Sequence, residues 1–465
     1  MTLSHEFRFG LGTQSAPFHP DPEALRYIPA GFAFRHDVLP YGVDGTELLV
    51  AVPDGEPSTV DRIRLLTGMR VRAMPVAREL IRKQLAVAYG GARNRRFEGD
   101  TSSSAVRVLD EIHEGAIRSR ASDVHIEPYA RGGRVRQRID GRLQEVRVLE
   151  ERLHAQIVSR VKVLAEIDVA ERRQPQDGRY SLNVDSRTID ARVSAISTID
   201  GERVVIRLFD WHAERPRLDL LGMDIGTLER CRSLMGAPHG FVVVCGPTGS
   251  GKSTTLYAAL SERTCDAEHV CTIEDPIEMH LPGIAQMQVN VRAGLTFARA
   301  LRSILRQDPD VVMVGEMRDA ETAGIASSAA LAGQLVLTTL HSRDAARAIE
   351  KLMDLGVARH TLGAALTGII AQRLVRTKCS SCVDGAGCQD CFGMGFSGRT
   401  GMFECVAISE ELRSAISSGS PAQQLRHLIE RDACGSLARD GLRHVMAGRT
   451  TAAEVERVLG ERIPT

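Results

Sequence analysis

The segment that most constrains the fold of this chain is GPTGSGKST, at residues 246–254. An apolar run, FVVVC, comes directly before it and a helix-like segment follows it, which is the context that a phosphate-binding loop requires. The glycines let backbone N–H groups close around phosphate oxygens, and the amino end of the helix adds positive potential. The sequence therefore predicts a nucleotide site on this loop.

Within the loop, Lys252 is expected to pair with the outer phosphates of ATP, and Ser253 to ligate magnesium. A chance glycine-rich turn is the alternative, but strand, lysine and serine stand in register, which argues against it. The predicted nucleotide-binding residues are Gly246, Pro247, Thr248, Gly249, Ser250, Gly251, Lys252, Ser253 and Thr254.

Short apolar runs (FVVVC, VVMVG, LVLTTL) alternate with long helix-like segments from residue 222 onwards. This alternation is typical of an α/β fold with a parallel sheet and crossover helices. The carboxyl end of a parallel strand is the usual ligand side of such a sheet. Polar residues at the ends of these runs are therefore candidate catalytic residues.

Three such residues stand out. Glu274, in TIEDPIE, could polarise water or hold magnesium through a water, although a solvated loop remains the alternative. Glu316, in DPDVVMVGEMRD, is the predicted general base, and simple pairing with Arg318 is its alternative. His341, in LVLTTLHSRDA, is either a phosphate sensor or a structural histidine.

Cysteines form a second constellation, with two CxxC pairs at Cys379, Cys382, Cys388 and Cys391. Two thiolate pairs suit tetrahedral zinc, and four thiolates leave no open position, so a structural site is predicted. Disulfides and metal-free thiols are the alternatives. The remaining cysteines are interpreted as buried thiols: Cys231, Cys245, Cys265, Cys271, Cys405 and Cys434.

The chain has 465 residues, enough for about three domains, and carries 59 basic and 59 acidic residues. Balanced charge argues against nucleic-acid or anionic-membrane partners, so protein partners are expected. No apolar run approaches the roughly 20 residues of a membrane span and no secretion signal is evident, so a cytoplasmic location is expected. The predicted organisation is an N-terminal α/β module at 1–92, a linker at 93–103, a second α/β domain at 104–210, a linker at 211–221, and the nucleotide-binding domain at 222–465, with a zinc subdomain at about 376–400.

Local patterns predict individual elements. Helices are expected from a cap at Ser58 and over about 77–89, and Leu153, Ile157, Val161 and Leu164 recur at helical spacing. Residues 180–209 alternate and are rich in β-branched side chains, which favours two strands.

The blocks GPTGSGKST, TIEDPIE, DPDVVMVGEMRDAETAGIA and LVLTTLHSRDA resemble, in order and spacing, the Walker A, aspartate, Walker B and histidine boxes of the secretion ATPase superfamily. The resemblance covers about residues 104–405 and includes RASDVHIEP, ERRQPQDGR and the cysteine segment. The whole set is similar to the general secretory pathway protein E family and to pilus-extension ATPases.

That resemblance implies a RecA-like ATPase domain preceded by a PAS-like domain, bound ATP, Mg²⁺ and Zn²⁺, and assembly as a homohexamer. It also implies that Arg192 and Arg207 approach the phosphates as arginine fingers, although without it both are solvated strand charges. Residues 1–92 would dock to inner-membrane secretion platform proteins, giving peripheral membrane association at the cytoplasmic face. Gln334, Arg343 and the five-residue gap between the cysteine pairs depart from the family pattern.

The sequence predicts an ATPase motor for type II secretion, with a type IV pilus-extension motor as its alternative. A nucleic-acid translocase is a second class, which balanced charge, one tryptophan and 4% aromatic residues argue against. An inactive scaffold is a third class, which the intact Lys252 and Glu316 argue against.

Overall fold

The computed structural model describes residues 20–463, apart from residue 22 and the segments 29–31, 34–35, 54–56, 91–103, 130–131, 185–186, 211–214, 264–266 and 383–386. The chain divides into two compact units, unit 1 (Met1–Phe209) and unit 2 (Asp210–Thr465). The predicted linker at 93–103, residues 1–19, part of the linker at 211–221 and Cys265 lie outside the described residues.

Unit 1 begins with a three-stranded sheet, in which β2 pairs antiparallel with β1 and parallel with β3. The helix predicted from Ser58 begins one residue earlier, because the fixed φ of Pro57 suits the first helical turn. The elements are β1 (Leu39–Asp44), β2 (Glu47–Val52), α1 (Pro57–Thr67), β3 (Arg70–Pro75) and α2 (Arg78–Gly90).

A six-stranded sheet with the order β6-β5-β4-β9-β8-β7 forms the rest of unit 1. Two strands were predicted over 180–209, but three occur, because the last residues of an earlier strand extend to Val184. The predicted apolar helix face is confirmed, since Ile157 and Val161 are fully buried. The elements are α3 (Ser104–Arg118), β4 (Asp123–Tyr129), β5 (Gly132–Ile139), β6 (Arg142–Glu150), α4 (Glu151–Leu164), β7 (Gln176–Val184), β8 (Arg187–Thr198) and β9 (Gly201–Asp210).

Contacts join the two parts of unit 1. Val163 of α4 belongs to the same buried cluster as Ile63 and Leu66 of α1, and Arg160 donates a 2.5 Å hydrogen bond to the carbonyl oxygen of Leu66. The boundary between a 1–92 module and a 104–210 domain stays a prediction.

Unit 2 contains an eight-stranded sheet with the order β12-β11-β13-β14-β10-β15-β16-β17. Neighbours from β12 to β15 pair in parallel, and β16 and β17 add an antiparallel edge. The elements are α5 (Ile225–Met235), β10 (Gly240–Cys245), α6 (Lys252–Ser261), β11 (Val270–Glu274), β12 (Ala285–Gln288), α7 (Phe297–Ile304), β13 (Val311–Val314), α8 (Ala320–Ala332), β14 (Leu335–Leu340), α9 (Ala345–Asp354), α10 (Arg359–Ala365), β15 (Leu366–Lys378), β16 (Phe396–Ala407), α11 (Glu410–Ser418), α12 (Ala422–Asp432), β17 (Ala433–Cys434), α13 (Leu437–Met446) and α14 (Ala452–Leu459).

The central strands of this sheet are buried along their whole length, which explains their predominantly apolar sequences. Separate hydrophobic clusters cover the two faces of the sheet, one containing Val243 and Val312 and the other Val242 and Val311. This confirms the predicted parallel sheet with crossover helices. Among the described residues, no helix combines the length and the apolar character that crossing a bilayer would require.

Candidate functional site

The predicted phosphate loop connects the end of β10 to the start of α6. Gly251, with φ of 87°, adopts the left-handed conformation that glycine tolerates best. A Cβ atom on Gly246 would lie 2.4 Å from Ser250 Oγ and 2.6 Å from the carbonyl oxygen of Gln372. The tight packing explains why these positions carry glycine.

Lys252 is the first residue of α6 and is 8% exposed. Its Nζ donates 2.9 Å hydrogen bonds to the carbonyl oxygens of Gly246 and Pro247. Burial lowers the pKa of Lys252, and the Glu316 carboxylate acts in the opposite direction. The ammonium is held beside the loop by two neutral acceptors, which phosphate oxygens could replace.

A cavity of about 360 Å³ opens beside the loop at the carboxyl ends of the strands. It gathers residues that the sequence placed in separate motifs, whereas Gly246, Pro247 and Ser250 do not line it. The predicted site residues that line it are Thr248, Gly249, Gly251, Lys252, Ser253, Thr254, Glu274, Glu316 and His341.

The oxygen atoms around this cavity fit a hard divalent cation. The hydroxyl-bearing Ser253 shares the cavity with Glu274, Asp275 and Glu316. Hydroxyl and carboxylate oxygens are the donors that Mg²⁺ prefers in phosphate-binding sites.

Glu316 follows β13 and is held from both sides. Its Oε2 accepts a 2.8 Å hydrogen bond from Arg318, and its Oε1 lies 3.2 Å from His341 Nε2. Arg318 also reaches Asp275 at 3.4 Å. Glu316 therefore pairs with Arg318 and also lines the cavity, so the two interpretations of this residue are compatible.

His341 follows β14 at the same edge of the sheet. Burial lowers its pKa, Lys252 lowers it further, and Glu316 opposes both effects. The neutral imidazole is therefore favoured near pH 7, with its Nε2 lying 3.2 Å from the Glu316 carboxylate.

Glu274 ends β11 and is 4% exposed. Its Oε1 accepts hydrogen bonds from Thr272 Oγ1 at 2.6 Å and Gln286 Nε2 at 3.2 Å, and its Oε2 accepts one from the Tyr257 hydroxyl. The solvated loop that was the alternative for Glu274 therefore does not describe this carboxylate, which is buried.

Several cavity residues were missed by the sequence analysis. Leu374 and Arg399 come from the hairpin of β15 and β16, far along the chain from the phosphate loop. No local pattern distinguishes them, because their position depends on β15 pairing with β10. Tyr257, on α6 behind Glu274, does not line the cavity and was missed because its contact with Glu274 depends on how that helix packs against the sheet.

The two candidate arginine fingers lie in unit 1, on the neighbouring strands β8 and β9. Arg207 donates a 2.9 Å hydrogen bond from Nε to Asp123, and its side chain is 62% exposed. The guanidinium of Arg192 stacks 4.4 Å from the centre of the Phe209 ring and lies 3.5 Å from Asp190. Both guanidinium groups are anchored, and neither is buried.

The four predicted zinc ligands lie together, with all four Sγ atoms within 4.8 Å of one another. Zinc–sulfur bonds of about 2.3 Å in a tetrahedron separate sulfur atoms by about 3.8 Å, so the set fits zinc. Although burial raises the pKa of Cys391, backbone N–H groups of Cys388 and Gly395 help to lower it to about 6. Such donors stabilise the thiolate that a metal ligand requires.

Comparisons with known proteins agree with this arrangement. The profile of the family described as Type II/IV secretion system protein matches residues 98–457, and that of the MshEN domain matches residues 12–95. Type II secretion system protein HxcR of Pseudomonas aeruginosa is 48% identical over 77% of this chain and 78% of its own length. Type II secretion system protein E of Aeromonas hydrophila is 39% identical over 95% and 98%, and type II secretion system ATPase E of Vibrio cholerae is 42% identical over 78% and 77%.

Solved structures show the same fold. The ATPase DotB of Legionella pneumophila superposes with a TM-score of 0.59 at 23% identity, over 79% of this chain and 97% of that one. The pilus retraction motor PilT, solved with bound ADP, gives a TM-score of 0.53 at 27% identity, over 75% and 95%. These matches confirm the predicted α/β fold with a RecA-like ATPase domain. The chain belongs to the Type II/IV secretion system protein family, as a secretion ATPase.

Proposed function

We propose that this chain is the motor of a type II secretion system, hydrolysing ATP to drive pseudopilus assembly and protein export. The observation that carries the proposal is the cavity in which the phosphate loop, Lys252 and two glutamates meet, in a chain similar over almost its whole length to a type II secretion system protein E. The motor would act as a homohexamer in the cytoplasm, at the cytoplasmic face of the inner membrane.

In this proposal the phosphate loop binds ATP through its backbone N–H groups. Lys252, whose Nζ donates 2.9 Å hydrogen bonds to the carbonyl oxygens of Gly246 and Pro247, exchanges these acceptors for phosphate oxygens. Bound Mg²⁺, with Ser253 as a ligand, would neutralise charge on the phosphates. Thr248, Gly249, Ser250, Gly251 and Thr254 complete the loop.

Glu316 is the proposed general base for the attacking water. The hydrogen bond from Arg318 to one oxygen and the 3.2 Å contact of His341 Nε2 with the other hold the carboxylate at the cavity wall, so its orientation is fixed before the substrate binds. Neutral His341 would report the presence of the γ-phosphate through Glu316. Glu274 would orient a water molecule, either free or bound to Mg²⁺.

Arg192 and Arg207 are the proposed arginine fingers, which would stabilise charge on the transferring phosphoryl group. Two observations support this role: both arginines are anchored on neighbouring strands, and their guanidinium groups are accessible to solvent. The Nη atoms of Arg207 have no hydrogen bond within the described part of the chain, since only its Nε is engaged.

Zinc is the proposed ion for Cys379, Cys382, Cys388 and Cys391, with a structural role. Residues 1–92 are proposed to dock to inner-membrane platform proteins, so membrane association would be peripheral. A separate domain profile over residues 12–95 supports a distinct role for this region. Equal numbers of acidic and basic residues support protein partners and no nucleic acid.

A type IV pilus-extension motor is the second candidate. The likeness to the pilus retraction motor PilT, at 27% identity over 75% of this chain, favours a motor that works on a pilus. The greater identity and coverage of the type II secretion relatives favour the first candidate.

Hydrolysis at this cavity is tested by measuring the ATPase rate and the ADP affinity of the full chain and its Glu316→Gln variant. We expect kcat to fall by about 10² or more, because the water loses its base, while ADP affinity stays within about threefold. Glu321→Gln is a matched control, since Glu321 is an exposed glutamate of α8 that pairs with Arg302. A Glu316→Gln variant that turns over at the wild-type rate would remove Glu316 from the mechanism.

A further inference from the structure

The Glu274 carboxylate is fixed in place by hydrogen bonds at the wall of the nucleotide cavity. It lines the nucleotide cavity, yet protein donors engage both of its oxygens. Thr272 and Gln286 donate to Oε1, and Tyr257 donates to Oε2. Within the described residues, Tyr257 is therefore the sole donor to the second oxygen, so it fixes the rotation of the carboxylate about its last bond.

Tyr257 also connects three parts of the site. It lies on α6, five residues after Lys252, and is 2% exposed. Its hydroxyl oxygen accepts a 3.1 Å hydrogen bond from the backbone N–H of Glu278 while its proton points to Glu274. The hydroxyl thus joins the helix that begins at the phosphate loop, the carboxylate at the end of β11 and the loop that follows it.

The chemistry of the hydroxyl suits this connection. Burial and the neighbouring Glu274 carboxylate both raise the pKa of Tyr257, so the phenol remains a donor throughout the physiological range. A hydrogen bond to a carboxylate is stronger and more directional than one between neutral groups. A shift of α6 on nucleotide binding would therefore move Glu274 as well.

We propose that Tyr257 is a positioning residue for ATP hydrolysis, which holds Glu274 in its working orientation and couples it to the phosphate-loop helix. The inference rests on the proposed catalytic role of Glu274. Tyr257 itself does not line the nucleotide cavity, so it would act through Glu274.

The test is a double-mutant cycle on the full-length chain with Tyr257→Phe and Glu274→Gln, using radiolabelled ATP so that slow rates stay measurable. Tyr257→Phe is expected to lower kcat by roughly 10- to 100-fold, because a small misplacement of a catalytic group costs that much, and to leave KM within about twofold. In the Glu274→Gln background the same substitution is expected to change kcat by less than about twofold, since the group it positions has been altered.

Two controls separate positioning from loss of structure. Tyr180→Phe removes another buried tyrosine hydroxyl, which is 2.7 Å from His113 in unit 1, and is expected to leave kcat unchanged. Thr272→Val removes a donor to the other oxygen of Glu274 and should reproduce a smaller fall in kcat. Thermal unfolding of each variant shows whether it folds.

An unchanged kcat in a folded Tyr257→Phe variant would overturn the inference, and so would an equal loss in both backgrounds. If Glu274→Gln alone turns over at the wild-type rate, the proposed role of Glu274 fails and this inference fails with it. The two failures are distinguishable because the first leaves Glu274→Gln impaired.

Discussion

Glu316, His341 and Lys252 lie together because of where three separate segments of the chain end or begin. Each follows or begins a regular element at the same edge of the parallel sheet, so residues distant in sequence line one cavity. Sequence motifs predicted these three residues because strand ends are recognisable locally. Arg399 and Tyr257 were missed because their contacts depend on strand pairing and helix packing that no local pattern reports.

Asp123 is predicted to matter through Arg207. The carboxylate is 5% exposed and fixes Arg207 Nε at 2.9 Å, which leaves the Nη atoms for a phosphate. Asp123→Asn weakens this anchor, and we expect kcat to fall by about tenfold, with Arg207→Ala costing roughly 10²-fold or more. Steady-state ATPase rates check both values.

The control for Asp123 is the same substitution made in a chain that already lacks the Arg207 side chain. In Arg207→Ala, the Asp123→Asn substitution should have almost no further effect on kcat. A tenfold loss in that background would show that Asp123 acts on something other than Arg207.

Among the elements, the central strands of unit 2 were predictable and the hairpin of β15 and β16 was not. Strands buried on both faces have nearly continuous apolar sequences, which can be recognised in the sequence. In the hairpin, the cysteine knuckle lies between the end of β15 and the start of β16. The hairpin reaches the cavity because β15 pairs with β10. The division of residues 180–209 among three strands was missed because alternation alone does not show where a strand begins.

The cysteine knuckle predicts one zinc ion per chain. Replacing Cys382 and Cys388 by serine is expected to abolish zinc in the purified protein, measured by elemental analysis, and to lower the melting temperature by about 5 °C or more. Cys434→Ser is the matched control, because this thiol lies outside the cluster and should leave the zinc content at one. Purified wild-type protein without zinc, and with two disulfides, would contradict the assignment.

The packing of α3 against β7 predicts a pH-dependent stability of unit 1. His113 is 2% exposed, and burial, with a further contribution from Arg160, lowers its pKa to about 3. Since an unfolded histidine titrates near 6.5, the stability is fully present above pH 6.5 and is lost as the pH falls towards 3.

Between pH 6.5 and 5 the expected loss from His113 is about 2 kcal/mol of unfolding free energy. Urea denaturation at the two pH values gives the change in unfolding free energy for the wild type and for His113→Asn. The contribution of His113 is the difference between these two changes, in which the other titrating groups cancel. Equal pH dependence in the two proteins would contradict the buried neutral histidine.

At the level of the whole molecule, family membership and fold agree. The Aeromonas hydrophila protein aligns with 95% of this chain, so the likeness includes both units and not only the phosphate loop. The sequence predicted the α/β fold and the family because its motifs fall in a fixed order. The proposed assembly as a hexamer and the proposed docking of residues 1–92 would depend on surfaces that meet other chains, which sequence motifs do not describe.

The measurement that tests the secretion motor most directly is complementation of a deletion strain by the wild-type gene and by Lys252→Ala, with exoproteins in the medium and pili on the surface scored in parallel. We expect exoprotein release to be lost in the deletion, restored by the wild type and not by Lys252→Ala, because the variant lacks the ammonium that binds phosphate. Loss of pili with normal exoprotein release would contradict the secretion motor and favour the pilus-extension motor.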